Sequence, residues 1–222
     1  TNETVALAFA ITEEAIEDNL YDKLSTRLTK ALARSMSAAK QTKGAKIYNE
    51  AFTTSNGGDG QPLVSNAHPL QNGGTASNRP STYSDLSETS LEDALIDIAG
   101  FTDDKGLPIA LQARTLHIPR QLVFVAERLM ASPYRPGTAD NDVNAIKSTG
   151  MIPGGYHINH RFTDPDGFFL RTDCPNGMKM FQRTPVATSM EGDFETGNVR
   201  YKARERYVFG FSDWRGVYGN KG

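Results

Sequence analysis

Apolar residues at Ile16, Leu20, Leu24, Leu28, Leu32 and Met36 recur at every fourth position. That spacing is helical, and it drifts by about 40° per step against the 3.6-residue turn. The stripe therefore winds around the helix, unlike the ~3.5-residue seam of a two-stranded coiled coil. A helix of this kind crosses a broad or curved surface. Thr12 is placed to cap it. Glu13, Glu14, Glu17, Asp18 and Asp22 come first, and Lys23, Arg27, Lys30, Arg34, Lys40, Lys43 and Lys46 follow. Acid before base complements the helix dipole and predicts one continuous element. Running from residue 13 to about 50, it spans about 55 Å at ~1.5 Å per residue, with Gly44 as its weak point.

After the helix the periodicity is lost. Residues 53 to 84 carry Asn56-Gly-Gly-Asp-Gly60, Asn72-Gly-Gly74 and Asn78-Arg-Pro-Ser81, which predict a long loop region with a short strand at Leu63-Val64. A loop of that length is usually functional or wraps something. Mixed texture follows. Ser87 or Thr89 caps a helix carrying Leu91, Ala94, Leu95, Ile98 and Phe101. Arg114 to Ile118 alternates as a strand, with Leu116 and Ile118 on one face. Pro119 opens a helix with Leu122, Val123, Val125, Ala126 and Leu129 inward, stopped at Ser132-Pro133. Asn141 to Ser148 reads as a short helix with Val143 and Ile146 inward. The last third is mostly β: Gly155 to Phe162, Phe168 to Thr172, Met178 to Arg183 and Val199 to Phe211, with turns at Asp164-Pro-Asp-Gly167 and Pro175-Asn-Gly177.

Composition narrows the classes. The chain has 222 residues, and its formal net charge is -2, so it is not a global polyanion binder. Leu, Ile, Val and Phe supply 46 of the 222 residues, which argues against wholesale disorder at this low charge. It also predicts a thin core that neighbours complete. The longest apolar run, Val5 to Ile11, is far short of the ~20 residues of a membrane helix, so no membrane partner is expected. No signal peptide is recognisable. A start at Thr1 rather than Met reads as a processed or trimmed terminus. A single cysteine, Cys174, excludes intrachain disulfides and cysteine-rich zinc sites.

Candidate chemistry is sparse. His157 and His160 look like metal ligands, with Asp164 and Asp166 nearby. On a regular strand, however, residues three apart point to opposite faces, so the pair is expected not to chelate. There is no G-x-S-x-G and no Walker loop, and Cys174 has no local base partner. No catalytic constellation and no cofactor are expected, and the chain reads as a non-enzyme.

The strand from Val199 is more informative. Arg200, Lys202, Arg204 and Arg206 share one face, with Val199, Tyr201, Ala203 and Tyr207 on the other. Four cations in a row repel unless something answers them. Nucleic-acid phosphates are one answer. Acidic surface from a neighbouring copy is another, at Glu191, Asp193, Glu195 or between Glu88 and Asp104. A simply solvated face is the third. Balanced overall charge favours the protein partner. Trp214 and Tyr218 are placed to anchor the tail by burial.

A series of short motifs completes the reading. In order they are Ala31-Leu-Ala-Arg-Ser-Met36, Gly58-Asp-Gly60, Ala67-His-Pro-Leu70, Asp85-Leu-Ser-Glu88, Leu91-Glu-Asp-Ala-Leu-Ile-Asp-Ile98, Gly106-Leu-Pro-Ile109, Phe124-Val-Ala-Glu-Arg128, Arg135-Pro-Gly-Thr-Ala-Asp-Asn-Asp142 and Gly192 through Tyr207. The chain resembles the major capsid (head) proteins of tailed bacteriophages, close to Mu-like major head subunits, from about residue 9 to 219. The resemblance implies an α+β fold of the Hong Kong 97 type. Such a fold has a long spine helix, a peripheral β-sheet and a mixed α/β axial domain. It implies a peripheral domain at 1–52, an extended loop region at 53–85, an axial domain at 86–185 and a return to the peripheral domain at 186–222. Family members are longer at the N-terminus, where an arm and an extended hairpin loop embrace neighbours. Here only Thr4 to Ala10 precedes the helix, as a candidate returning strand of that hairpin.

The resemblance also implies a function: self-assembly into pentamers and hexamers of an icosahedral head around phage double-stranded DNA. The location would be the virion, after assembly in the bacterial cytoplasm. Partners would be copies of the chain, with portal, scaffold or decoration proteins beyond them. Inter-subunit contact candidates are Arg200, Lys202, Arg204, Arg206, Arg135, Asp140 and Asp142. An encapsulin-like shell, a metal-dependent hydrolase and a nucleic-acid binder are the competing readings.

Overall fold

The computed structural model describes residues 2–18, 21–54, 57–135 and 142–222. They divide into two units. One comprises residues 1–44 and 180–209, the other residues 45–179 and 210–222. The chain passes between them inside continuous elements, not through linkers.

The first unit begins with strand β1 (Glu3–Ile11). Thr12 then caps a helix as its spacing predicts, its hydroxyl accepting from the Ala15 amide. The helix is short, however. α1 covers only Glu13–Glu17 and ends at Asp18, and α2 (Tyr21–Asn49) is a separate helix. The expected single helix is thus interrupted. α1 buries no side chain, and Ile16 is exposed, so no packing holds the two in line. Asp18 has a side chain that competes for backbone partners and favours a stop there. Leu20 lies outside the described residues. Further along, the winding stripe is real: Leu24 and Leu28 are half-buried, and Leu32 and Met36 are buried. Gly44 does not break α2.

The sheet of this unit has the order β1-β8-β7, where β7 is Met178–Gly192 and β8 is Val199–Phe211. β7 runs nine residues beyond the expected end at Arg183. Its β-branched Thr184, Val186 and Thr188 suit a pleated strand paired with β8. β1 and β8 are antiparallel, with Val5 opposite Glu205, Leu7 opposite Ala203 and Phe9 opposite Tyr201. Leu32 and Met36 pack on Ala203, Val5 and Phe9. Phe9 stacks on Tyr201 at 5.0 Å between centroids. Helix α2 therefore covers the face that carries Tyr201, Ala203, Glu205 and Tyr207.

In the second unit, four strands take the order β5-β4-β6-β9: β4 is Ala113–Ile118, β5 Tyr156–Ile158, β6 Phe168–Thr172 and β9 Val217–Asn220. β5 is parallel to β4, and the remaining pairs are antiparallel. Three helices supply apolar cover: α3 (Glu88–Ala99), α4 (Val123–Ala131) and α5 (Ala145–Thr149). Ser87 caps α3 in a reciprocal box with Ser90, which fixes where the apolar phase starts. Leu91, Leu95, Ile98, Leu116, Ile118, Ala126, Ile146, Phe168, Leu170 and Tyr218 form one core on this side. A second core joins Ala51, Leu63, Val64, Phe169 and Val217. Successive residues of β6 thus enter different cores, as the pleat requires.

Several local expectations change. Leu63 and Val64 are buried, but in a loop rather than a strand. Among the described residues, the only ladder in that region is β2 (His68–Pro69) with β3 (Thr75–Ala76). β5 stops at Ile158, and Asn159 accepts the Phe162 amide in a turn. Val143 is 65% exposed instead of inward. It lies before the helix in a bridge to Tyr134, because Asn144 is the cap of α5, so helical phase does not apply to it. Gly177 and Gly216 meet backbone to backbone: a Cβ on Gly177 would sit 2.7 Å from the Gly216 Cα. The Asn176-Gly177 turn therefore requires glycine for the close contact, not for its backbone conformation.

Candidate functional site

Strand alternation and register together build the cation row. Opposite residues of an antiparallel pair share a face. Thr4, Ala6, Ala8 and Ala10 of β1 lie opposite Arg206, Arg204, Lys202 and Arg200 of β8. The uncovered face thus presents basic side chains spaced roughly 6.7 Å apart, beside a lane of small residues. Arg200, Lys202 and Arg204 are exposed, and Arg206 is half-buried.

The charges are answered unevenly. Arg200 donates to Asp193 in the β7–β8 turn, which also accepts from the Thr196 hydroxyl at 3.0 Å. Lys202, Arg204 and Arg206 make no ion pair among the described residues. The Arg206 Nε is shut off from solvent with no hydrogen-bond partner among them. Phe194, at the tip of the turn, is fully exposed.

The opposite face holds a residue that the alternation passes over. Glu205 is 1% exposed and faces Lys40 of α2 at 3.4 Å. Its burial costs solvation that the Lys40 ammonium offsets. Lys40 also lies 5.2 Å from the centre of the Tyr207 ring. Burial, then the charges of Glu205 and Glu3, hold the Tyr207 phenol above its ordinary range. An acid at the apolar phase of a basic strand is the signal that could have found this pair.

The remaining contact candidates belong to the other unit. Arg135 Nε donates to Glu88 at 2.8 Å, and the Arg135 amide donates to the Asp142 carbonyl at 2.8 Å. Asp142 is exposed, and Asp140 lies outside the described residues.

His157 and His160 are both exposed. No group of three or more His, Cys, Asp or Glu side chains among the described residues is placed to hold a metal ion. His157 instead packs against His117 at 5.5 Å. Burial, then the charges of His157 and Arg171, push the His117 imidazole down to about 4. Burial, then Asp213, push the Cys174 thiol up to about 11, which leaves it protonated and unreactive near neutrality. No helix among the described residues is long and apolar enough to cross a membrane.

Trp214 and Tyr218 are buried, and the Tyr218 hydroxyl donates to Asp97 at 2.7 Å. Trp214 stacks on the fully buried His68. Sequence reasoning gave His68 no role beyond its place in a motif.

Comparison with known proteins then adds three findings. The profile of the phage capsid protein family matches residues 2–220. No curated protein sequence matches the chain. Among solved structures, the capsid of Myoviridae phage XM1 superposes with a TM-score of 0.57 at 11% identity, over 100% of this chain and 73% of that one. The virus-like particle of Pyrococcus furiosus gives 0.55 at 13%, over 98% and 76%. The holo-SrpI encapsulin complex of Synechococcus elongatus PCC 7942 gives 0.57 at 8%, over 99% and 73%. At these identities the likeness establishes the fold, which is of the Hong Kong 97 capsid type.

Proposed function

The chain belongs to the phage capsid protein family, and we propose that its copies form the pentamers and hexamers of an icosahedral head enclosing double-stranded DNA. As a capsid protein it is a component of the virion. The observation that carries the reading is a family profile that spans the chain from residue 2 to 220. In this reading the helix-and-hairpin unit is the peripheral domain and the four-stranded unit is the axial domain. Assembly takes place in the bacterial cytoplasm, and portal, scaffold or decoration proteins join the shell. The role is structural, without catalysis.

The contact residues follow from unspent charge. Lys202, Arg204 and Arg206 receive acidic side chains of a neighbouring copy, and the alanine lane of β1 lets an extended segment approach them. Asp193 and Glu88 are engaged inside their own chain. Glu191 and Glu195 make no ion pair among the described residues and are the better partners. Arg135, Asp140 and Asp142 contribute at a second contact, with Arg135 already held by Glu88.

Light scattering with negative-stain microscopy tests the assembly. Shells or rings of five or six copies are the expected result. A chain that stays monomeric across salt and concentration would overturn the reading. The encapsulin likeness supports a second reading, a shell closed around protein cargo. Nucleic-acid content of purified particles separates the two, since only a phage head packages a genome.

A further inference from the structure

The surroundings of His68 fix a proton count. The Asn78 side-chain amide donates to three backbone carbonyls, of Leu63 at 2.7 Å, Val217 at 2.8 Å and Trp214 at 3.2 Å. Its Oδ1 accepts from the Ser65 amide at 2.9 Å. Turning the amide over would set its oxygen against three carbonyls and its nitrogen against an N–H, so its orientation is determined. Oδ1 also faces His68 Nε2 at 3.2 Å, and an oxygen there can only accept. Nε2 therefore carries a hydrogen. The other ring nitrogen, Nδ1, faces Asp59 Oδ2 at 2.6 Å. Two bare lone pairs do not approach that closely, so this contact holds a proton as well, on the imidazole or on the carboxyl.

We infer that the His68–Asp59 pair is a proton-binding site that holds two protons with no net charge, and that the second proton ties Asp59 to the buried His68 within residues 57–78. Asp59 is itself positioned by the Gln61 amide at 3.1 Å. Asn78 ties the loop to β9, its carbonyl accepting from the Gly219 amide at 3.1 Å. The imidazole is stacked on Trp214 at 4.4 Å and is wholly buried. Arg215 lies over the same indole, at 4.4 Å, and is neutralised by Asp104 and Asp213. Neither His68 nor Asp59 makes a further ion pair among the described residues. Removing the proton leaves a net negative charge on the partly buried Asp59 carboxylate and a lone pair of the fully buried imidazole set against an acceptor.

The test needs no variant at first. The full chain labelled with 15N-histidine is examined near pH 8, in solution or by magic-angle spinning if it is assembled. A slowly exchanging proton within the Nδ1···Oδ2 bond, beside a protonated Nε2, is expected. Its absence from a folded chain would overturn the inference. Asp59→Asn supplies the second reading, because a side-chain amide can donate to a bare Nδ1 in the same space. In Asp59→Asn the Nδ1 proton signal is expected to be lost while Nε2, still facing Asn78, keeps its hydrogen. An unchanged Nδ1 proton in Asp59→Asn would reject the stored proton.

Discussion

The two sheets of this protein are finished to different degrees. In the four-stranded sheet, Leu116, Phe168 and Leu170 are fully buried and enter one core, while Phe169 and Val217 enter another. In the three-stranded sheet, α2 covers one face, and the other carries exposed cations. β7 has no buried residue along its length, and Met180, Phe181, Val186 and Met190 are all exposed. One unit is stabilised by its own interior. The other has a small apolar nucleus around Leu32, Met36 and Ala203, and surface to spare. A chain built this way can fold with that face still open.

Core truncation is the strongest way to break that contrast. Leu170→Ala removes a side chain enclosed by β4 and β9 and is expected to cost about 2–5 kcal/mol in urea unfolding. Met36→Ala, in the smaller nucleus, is expected at the low end of that range. A larger loss at Met36 than at Leu170 would reverse the ranking of the two units. Acid comes next. The unfolded His117 imidazole binds a proton near 6.5, and the folded one only near about 4. The unfolded state thus holds more protons between those values, and stability falls as pH drops through that window, by up to about 3 kcal/mol. His117→Gln is expected to remove that part of the acid sensitivity, read as the change in unfolding midpoint with pH. Lys40→Met strands Glu205 and is expected to cost about 1–3 kcal/mol, because Lys40 remains partly solvated. Lys40→Met combined with Glu205→Leu is expected to recover most of it in a double-mutant cycle. The smallest effect on folding belongs to Arg204→Glu, within about 0.5 kcal/mol on an exposed position. The same change is expected to abolish shells in microscopy, and normal particles would detach the cation row from assembly.

Local chemistry was legible where a single element carries it. The Ser87 cap, the inward set of α3 and the alternation of β8 depend on near neighbours, and they stand as read. Phase errors occurred where a boundary shifts by a residue or two. Val143 follows helical spacing on paper, but the cap at Asn144 leaves it outside the helix. The Glu13-to-Lys46 charge gradient suggested one helix because it is insensitive to a break of a few residues. The roles of Glu205 and His68 were passed over for another reason. Their meaning lies in partners far along the chain: Lys40 is 165 residues away from Glu205, and Trp214 completes the His68 stack. The division into units leaves no linker signature either, since it falls after Gly44 inside α2, after Lys179 inside β7 and after Phe209 inside β8.

Pro185 stands near the middle of β7, at the rim of its sheet. A rim strand accommodates proline because one of its sides needs no donors. The same residue denies a full hydrogen-bond ladder to any strand that tries to extend the sheet outward. Copies that meet side by side therefore cannot polymerise through an endless ribbon of backbone pairing. The rim of the sheet is thereby protected from fibrous aggregation through backbone pairing, and contacts along it are left to side chains.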